Sequence, residues 1–348
     1  MDPRETAGVA DGRRHHGRAR DLKAVEAAAL GFSTVWAAHL GRRYGILQRL
    51  ALSRGPLEAA GIARACKLHP PAVAAWLEAA HALRLVERTG GRYRLTRTQR
   101  ALLVDERDPR YLGGQFSYLA LRSLDYGGFD GLFLHGAVPD PKTTHLAEAA
   151  HEATKWDHTL FMDVFLPRSP GVRSLLSRGA RVLDLGCGTG GWDLRMAKAF
   201  RKSTFVGIDP NRSAVELARR RARELKVSAR AEFAVGTGAS VRRLGSFDIV
   251  FMGEVLYGLR AKVRVLRDCR AILRTPGYLV IAEGLIDRRS NPREPVNQIL
   301  RAMDLDFALQ GVRFLSKPEL TFLLRKAGFR KPRFLQGGGG LWFAVAMK

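Results

Sequence analysis

The sequence has few cysteines and lacks any apolar run long enough to cross a membrane as a helix. Its cysteines, Cys66, Cys187 and Cys269, are scattered and form no pair at metal-ligand spacing. The first residues are charged and no apolar signal-peptide core follows them. These absences argue against a disulfide scaffold, a structural zinc and a membrane protein, so we expect a cytoplasmic protein without a metal.

Acidic residues are also scarce, with 33 Asp and Glu against 58 Lys and Arg, and the formal net charge is +25. Such an excess favours nucleic acid or anionic surfaces electrostatically. The cations, however, are mostly arginines spread along the whole chain, as an arginine-rich composition from a GC-rich genome would also produce. A nucleic-acid partner is therefore not favoured.

The chain is organised around residues 181–192, Arg-Val-Leu-Asp-Leu-Gly-Cys-Gly-Thr-Gly-Gly-Trp. An apolar run ending at Asp184 predicts a buried parallel strand, and a glycine-rich turn and a helical pattern over 194–200 follow it. Glycines let the backbone approach a ligand, and a helix N-terminus offers free N–H groups. The pattern therefore predicts a cofactor site.

The spacing of Gly186, Gly188 and Gly191 would by itself also fit a dinucleotide site. The residues around these glycines distinguish the two kinds of site. Asp184 precedes the first glycine by two residues, where a carboxylate faces an amine better than a pyrophosphate. Residues 204–209 predict a second strand that ends in Asp209, an acid suited to ribose hydroxyls. Residues 247–252 predict a buried strand that supplies a third wall of the cofactor crevice.

With these residues the chain resembles the class I S-adenosylmethionine-dependent methyltransferases, of the small-molecule O-methyltransferase type with an N-terminal winged-helix dimerisation domain. The matching pieces occur in the family's order: residues 182–190, 207–210, 247–250 and 276–281. The resemblance implies an α/β fold, a Rossmann-like doubly wound seven-stranded sheet with an antiparallel last strand, plus a mostly α winged-helix domain. It also implies S-adenosyl-L-methionine as the cofactor.

Four segments are predicted along the chain. They are a basic disordered tail (1–22), a winged-helix dimerisation-type domain (23–110), a helical connector covering the acceptor pocket (111–175) and the cofactor-binding methyltransferase domain (176–348). Helical patterns before residue 84 and a hairpin over 85–95 predict the winged helix. Its second helix, residues 71–81, has no Arg, Lys, Asn or Gln to contact base edges, so DNA binding is not favoured. The resemblance implies that this domain forms a homodimer instead.

Strand and helix patterns give the elements of the two later segments. Strands are predicted at 181–185, 204–208, 231–235, 247–252, 278–284, 331–335 and 341–347, with helices at 212–225 and 262–273 between them. In the connector, residues 111–124 and 146–166 are predicted to be helical and 125–131 to form a loop.

The resemblance assigns cofactor contacts to a set of residues that follow the predicted strands: Asp184, Gly186, Cys187, Gly188, Gly190, Asp209, Pro210, Thr237 and Gly253. Asp184 is expected to orient the ammonium group of the cofactor, and the glycines to shape the wall against its methionine part. Asp209 is expected to bind both ribose hydroxyls, with Ile208 and Pro210 against the adenine. Thr237 stands where many members carry an acid for the adenine amino group, which leaves that contact open.

The general base is not determined by the sequence. In plant-type members a His-Asp pair follows the fourth strand, and here Tyr257 aligns with that His. A Tyr with its ordinary pKa of about 10 is a poor base at neutral pH. Glu254, His151 and His158 are the other candidates, or the acceptor is nucleophilic enough to need only positioning. Glu254 is equally suited to contact the methionine end of the cofactor.

The sequence thus predicts methyl transfer by in-line displacement to a small, aromatic or apolar metabolite at O, N or C. One alternative is an RNA methyltransferase, although the fourth strand lacks the Asn/Asp-Pro-Pro-aromatic motif of enzymes that methylate base amino groups. The other is a non-enzymatic, ligand-sensing winged-helix regulator, which the missing His-Asp pair leaves open. The acceptor itself cannot be deduced from the sequence.

Overall fold

The computed structural model describes residues 3–348, with side chains described from residue 22 onward except Lys142. The chain divides into two compact units, residues 1–120 and 121–348, and the division falls inside the predicted connector. Most of the predicted tail, residues 1–22, lies in a helix that begins at Pro3, and of its side chains only that of Leu22 is described.

The first unit is mostly helical, with one hairpin. Its elements are α1 (Pro3–Arg43), α2 (Ile46–Leu52), α3 (Ala59–Cys66), α4 (Pro70–Ala82), β1 (Glu87–Thr89), β2 (Arg92–Arg94), α5 (Arg97–Leu103) and most of α6 (Gly113–Ser123). Its core includes Leu47, Ile62 and Leu77, all with no exposed surface. Prolines suit the start of α4, because the first turn of a helix has no partner for their missing N–H groups.

Eight helices of the second unit follow in order. They are α7 (Phe129–His135), α8 (Leu146–Leu160), α9 (Pro170–Arg178), α10 (Gly191–Ala199), α11 (Arg212–Glu224), α12 (Lys262–Ile272), α13 (Pro295–Ala308) and α14 (Lys317–Lys326). A π-helical turn, Phe161–Phe165, continues α8. Among the described helices of the whole chain, none has the length and apolarity needed to cross a membrane.

The predicted loop at 125–131 is wrong in part. Residues Tyr126–Gly128 form a 3₁₀ turn, and α7 starts at Phe129. The Phe129 ring packs between Tyr126 and Phe133, with centroids 5.3 and 5.8 Å away. These aromatic contacts at helical spacing stabilise a helix despite the glycines that indicated a loop.

A seven-stranded sheet forms the centre of the second unit, in the order β5-β4-β3-β6-β7-β9-β8. Its strands are β3 (Arg181–Leu185), β4 (Thr204–Asp209), β5 (Ala231–Val235), β6 (Phe247–Gly253), β7 (Leu273–Gly284), β8 (Arg330–Gly338) and β9 (Leu341–Met347). Strands β3 to β7 are parallel, and β9 runs antiparallel between β7 and β8. The predicted antiparallel last strand is confirmed.

The sheet is buried on both faces, as expected of parallel strands covered by helices. Neighbouring residues of β3 therefore belong to different cores: Val182 to one, Leu183 to the other, and both have no exposed surface. The strand order reverses at β3, which pairs with β4 on one side and β6 on the other. A crevice at the carboxyl ends of these strands is the usual ligand site in such sheets.

Gly190 shows how tightly the turn after β3 is packed. Its φ is 73°, in the left-handed region, and it caps the N-terminus of α10. A Cβ atom there would lie 2.6 Å from the Phe233 ring and 3.0 Å from the Ala218 Cβ. This glycine lets β5 and α11 approach the turn closely.

Replacing Gly190 with Ala should lower the free energy of unfolding by about 3 kcal/mol, since left-handed strain and overpacking each cost about 1–3 kcal/mol. Gly188→Ala is the matched control, because its φ is also left-handed, at 52°, but its Cβ would meet no atom within 4 Å. The control should cost only about 1 kcal/mol. Urea unfolding of both variants measures the difference, and equal losses would contradict the packing argument.

Candidate functional site

A cavity of about 290 Å³ opens at the carboxyl ends of β3, β4 and β6. Its walls come from the glycine turn, the end of β4, the segment after β6 and one face of α8. The predicted site residues that line it are Asp184, Gly186, Cys187, Gly188, Asp209, Gly253, Glu254, Tyr257, His151 and His158. Residues that are up to about a hundred positions apart in the sequence, from His151 to Tyr257, therefore line the same cavity.

Asp209 ends β4 and is held by two backbone donors. The Gly188 N–H donates to its Oδ2 at 3.0 Å, and the Asn211 N–H donates to its Oδ1 at 2.8 Å. Each carboxylate oxygen accepts more than one hydrogen bond. Asp209 is therefore fixed beside the glycine turn and keeps acceptor capacity toward the cavity.

Helix α8 presents one face to the cavity: Ala147, Ala150, His151, Thr154, Asp157 and His158. The spacing of three and four residues places these side chains on one side of the helix. His151 ties this face to the glycine turn, with its Nδ1 2.8 Å from Thr189 Oγ1. Arg221 of α11 donates to the same Thr189 oxygen at 3.0 Å and lies 3.5 Å from His151 Nε2. The arrangement suits His151 to closing the cavity better than to accepting a proton.

His158 lies beside the glycine turn, where a Cβ atom on Gly191 would be 3.0 Å from its ring. Burial, together with the nearby charges of Arg195, His151 and Lys155, lowers the pKa of His158 to about 3. The ring is therefore neutral at physiological pH and is a weak proton acceptor.

Glu254 is the carboxyl best placed for chemistry. It follows β6 with a φ of 54°, a left-handed conformation that costs a non-glycine residue about 1–3 kcal/mol and concentrates at functional sites. The Gly284 N–H donates to its Oε1 at 2.7 Å. Burial raises the pKa of Glu254 to about 7, although that hydrogen bond opposes the shift. This carboxyl can exchange a proton near neutral pH.

Two more carboxyl groups surround Tyr257. Glu283 has no exposed surface, and its Oε1 accepts from the Val255 and Leu256 N–H groups at 3.0 and 2.5 Å. Asp157 faces the cavity from α8, and burial and Glu254 raise its pKa well above the ordinary value. Burial and these carboxyls also raise the pKa of Tyr257 well above 10. Its phenol is therefore a hydrogen-bond donor and an even poorer base than an ordinary Tyr.

At the other end of the cavity, Asp184 lies near a second carboxyl. Burial, together with the negative charge of Asp193, the third residue of α10, raises the pKa of Asp184 well above its usual range. The two are 3% and 0% exposed. In the described part of the chain, no His, Cys, Asp and Glu side chains are grouped to hold a metal ion.

The remaining predicted cofactor residues do not line the cavity. Gly190 faces Phe233 and Ala218, and Pro210 is exposed. Thr237 is exposed as well, and its side chain accepts from the Ala239 N–H as the N-cap of a 3₁₀ helix. Their predicted contacts with the cofactor stay predictions.

Comparison with known proteins identifies the family of this fold. Residues 176–302 match the family model of a methyltransferase domain. The demethylmenaquinone methyltransferase of Lactococcus lactis subsp. lactis is 28% identical over 188 residues, which are 47% of this chain and 70% of that protein. The tRNA U34 carboxymethyltransferase of Methylococcus capsulatus is 30% identical over 167 residues, 45% of this chain and 47% of that protein. This chain thus spans only about half of the latter.

Among solved structures, human N-acetylserotonin methyltransferase in complex with S-adenosylmethionine has a similar fold. The TM-score is 0.69 at 19% identity, and the match covers 94% of this chain and 97% of that chain. The matched domain and the methyltransferase relatives show that this chain is an S-adenosylmethionine-dependent methyltransferase, with the fold of that structure. S-adenosylmethionine is therefore its cofactor.

The residues of this methyltransferase fit that cofactor. The Cβ position of Gly188 opens on empty space, so the turn leaves room for a ligand against its backbone. Asp209 offers acceptor oxygens for hydroxyl groups beside this turn. Buried carboxyls at Asp184 and Glu254 suit the positive charges of an ammonium and a sulfonium group.

Several lining residues of the methyltransferase site were missed by sequence reasoning. They include Asp157 and Thr154 of α8, Thr189, Trp192, Asn211 and Val255. Thr189 and Trp192 lie within the glycine motif, so treating the whole motif as part of the site would have predicted both of them. Asp157 carried no such signal, because only the packing of α8 in the folded chain brings it to the cavity.

The pKa of Glu254 predicts how stability depends on pH. The carboxyl keeps its proton up to about pH 7 in the folded protein and loses it near pH 4.5 when unfolded. The free energy of unfolding of the cofactor-free protein should therefore fall as pH rises from 5 to 7. The contribution of one such group is at most about 1.4 kcal/mol per pH unit.

Glu254→Gln should make the decrease in the free energy of unfolding between pH 5 and pH 7.5 smaller by about 2 kcal/mol, as measured by urea unfolding at both pH values. Glu216→Gln, at an exposed position of α11, is the control and should keep the wild-type decrease. An identical pH dependence in wild type and Glu254→Gln would show that Glu254 ionises normally.

Proposed function

We propose that this methyltransferase transfers a methyl group to a small aromatic or apolar metabolite bound between the glycine turn and α8. The observation that carries the proposal is the cavity itself, which the glycine turn, the strand ends and one face of α8 line together. A cavity that brings the expected cofactor contacts and several aromatic rings together suits transfer to a small molecule.

Aromatic rings support an apolar or aromatic acceptor. Trp192 and Phe251 both line the cavity and stack with ring centroids 4.0 Å apart. Tyr257 lines it as well and stacks on Phe307 of α13 at 4.8 Å. Such surfaces bind flat, apolar molecules well, and the Tyr257 hydroxyl adds a donor that would orient a polar substituent.

S-adenosylmethionine, when bound, supplies a methyl group on a cationic sulfur that leaves as a neutral thioether. The protein therefore mainly has to align donor and acceptor and keep water out. Asp209 would hold the ribose hydroxyls, and Asp184 would orient the ammonium group. The His151–Thr189 hydrogen bond would keep α8 closed over both substrates.

Glu254 is the residue that we propose as general base. Its raised pKa of about 7 lets a substantial fraction exist as carboxylate at neutral pH while keeping it basic. The Gly284 N–H holds one oxygen, and the residue faces the cavity next to Tyr257. The acceptor would lose its proton to Glu254 as the new bond to carbon forms.

The first unit is proposed to form a homodimer. Helix α4 packs inward through Val73, Leu77 and Ala80 and carries no Arg, Lys, Asn or Gln to contact base edges. Helix α1 exposes apolar side chains, with Val25 68% and Phe32 61% exposed. A second copy of this chain would cover such a surface.

The first test is calorimetric titration with S-adenosylmethionine. Wild type should bind saturably, and Asp209→Ala should weaken binding by about 30-fold or more, because two charge-assisted hydrogen bonds are lost. Glu232→Ala, at an exposed position of the neighbouring strand β5, should bind like wild type. A folded wild type that does not bind would overturn the assignment.

The second test measures turnover of phenols, amines and thiols by the formation of S-adenosylhomocysteine. For a hydroxyl acceptor, Glu254→Gln should lower kcat about 100-fold or more and leave the Kd for S-adenosylmethionine within about three-fold. Tyr257→Phe should lose less than about ten-fold, since its phenol only donates a hydrogen bond. Unchanged turnover in Glu254→Gln would exclude it as the base, and binding without turnover of any acceptor would favour the regulator.

RNA methylation is the second candidate, and two observations favour it: the net charge of +25 and the similarity to a tRNA-modifying enzyme. Binding through phosphate contacts must weaken steeply with salt. Filter binding of tRNA between 50 and 200 mM salt therefore distinguishes an RNA methyltransferase from a small-molecule methyltransferase. Weak binding that salt barely affects would remove the RNA candidate.

A further inference from the structure

A second cavity, of about 380 Å³, is lined by the start of α9 and by residues of β7, β8 and β9. Tyr278 of β7 lines it, whereas Ala282, further along the same strand, lines the first cavity, at the carboxyl ends of β3, β4 and β6. At about 3.3 Å per strand residue, these two positions are about 13 Å apart. The second cavity is therefore a separate place that has no role in the proposed methyl transfer.

The second cavity carries a concentrated positive charge. Arg330, Lys331 and Arg333 line it, and no acidic residue of the described chain does. None of the three cations forms an ion pair with a described residue. The pairing of β8 with β9 is irregular between Arg330 and Arg333, and Lys331 has a left-handed φ of 49°. Such an irregularity redirects side chains that a regular strand would point to alternate faces.

Ser169, at the start of α9, is the buried polar group of this cavity. It lines the cavity although only 8% of its surface is exposed. It is the N-cap residue of α9, but its hydroxyl makes no capping bond and has no other hydrogen-bond partner in the described part of the chain. A buried hydroxyl without a partner is costly, so this side chain points to a ligand in the cavity.

The first turn of α9 adds further donors beside Ser169. Pro170 begins the helix, and the N–H groups of Gly171 and Val172 have no acceptor within it. A Cβ atom on Gly171 would clash with the hydroxyl oxygen of Tyr278, so this hydroxyl lies against the same turn. Free N–H groups and the positive end of a helix dipole favour an anion.

We propose that the second cavity binds the phosphate group of a small molecule. A phosphate carries up to two negative charges and three strong acceptor oxygens at neutral pH, which match the cations of β8 and the donors around Ser169. Arginine is well suited to this group, because its N–H donors can bind two phosphate oxygens at once. A carboxylate, with one charge and two oxygens, would match these groups less completely. Val172 and Leu335 also line the cavity and would pack against an apolar organic part.

The experiment is calorimetric titration of the full chain with inorganic phosphate and with phenyl phosphate, in a phosphate-free buffer at constant ionic strength. Arg333→Gln should weaken binding about ten-fold or more, because a charge-assisted hydrogen bond is lost, and Ser169→Ala about three-fold or more. Arg223→Gln, at an exposed position of α11, changes the net charge equally and should bind within about two-fold of wild type. Tighter binding of phenyl phosphate would identify a phosphorylated organic molecule as the ligand, and equal affinities would identify free phosphate.

Equal weakening in Arg223→Gln and Arg333→Gln would overturn the inference, because phosphate would then respond only to net charge. Competition with S-adenosylmethionine would place phosphate in the first cavity, and displacement by tRNA would show a nucleic-acid surface instead. A wild type that binds neither compound at millimolar concentration would also reject the site. Circular dichroism checks folding, and if Ser169→Ala does not fold, the comparison of Arg333→Gln with its control decides.

Discussion

Negative charge buried at the carboxyl edge of the sheet is the constraint on which this site depends. Glu283 and Asp184 have almost no exposed surface. A buried carboxyl is stable only when it is protonated or hydrogen-bonded. The chain uses both means, because Glu283 accepts two backbone N–H groups and the raised pKa of Asp184 favours its protonated form.

The same hydrogen bonds shape the segments that form the cavity. Glu283 at the end of β7 holds the turn after β6 through the Val255 and Leu256 N–H groups. Asp209 holds the glycine turn through Gly188. Acids at strand ends therefore order the neighbouring loop, and a cationic ligand would relieve the electrostatic cost of that arrangement. The same acidic side chains therefore order the loops and favour a cationic ligand.

Local patterns explain which parts could be predicted. β3 and β9 were predicted at their observed bounds, because a continuous apolar run next to glycines has one clear interpretation. The placement of Asp184, Asp209 and Glu254 at one edge followed from parallel topology. Asp157 and Asp193 could not be found this way, since a polar residue on a helix shows its partner only when the helices are packed. Helix α13 had no cap or pattern strong enough to be recognised.

The single face of α8 also bears on how substrate preference can change during evolution. The glycine turn and the strand ends form one part of the cavity wall, where a side-chain change would disturb the sheet. On α8, Ala147, Ala150 and Thr154 recur at helical spacing and line another part. Selection for a new acceptor could act on these small side chains while the glycine turn stays unchanged. The His151–Thr189 hydrogen bond joins the two parts of the wall.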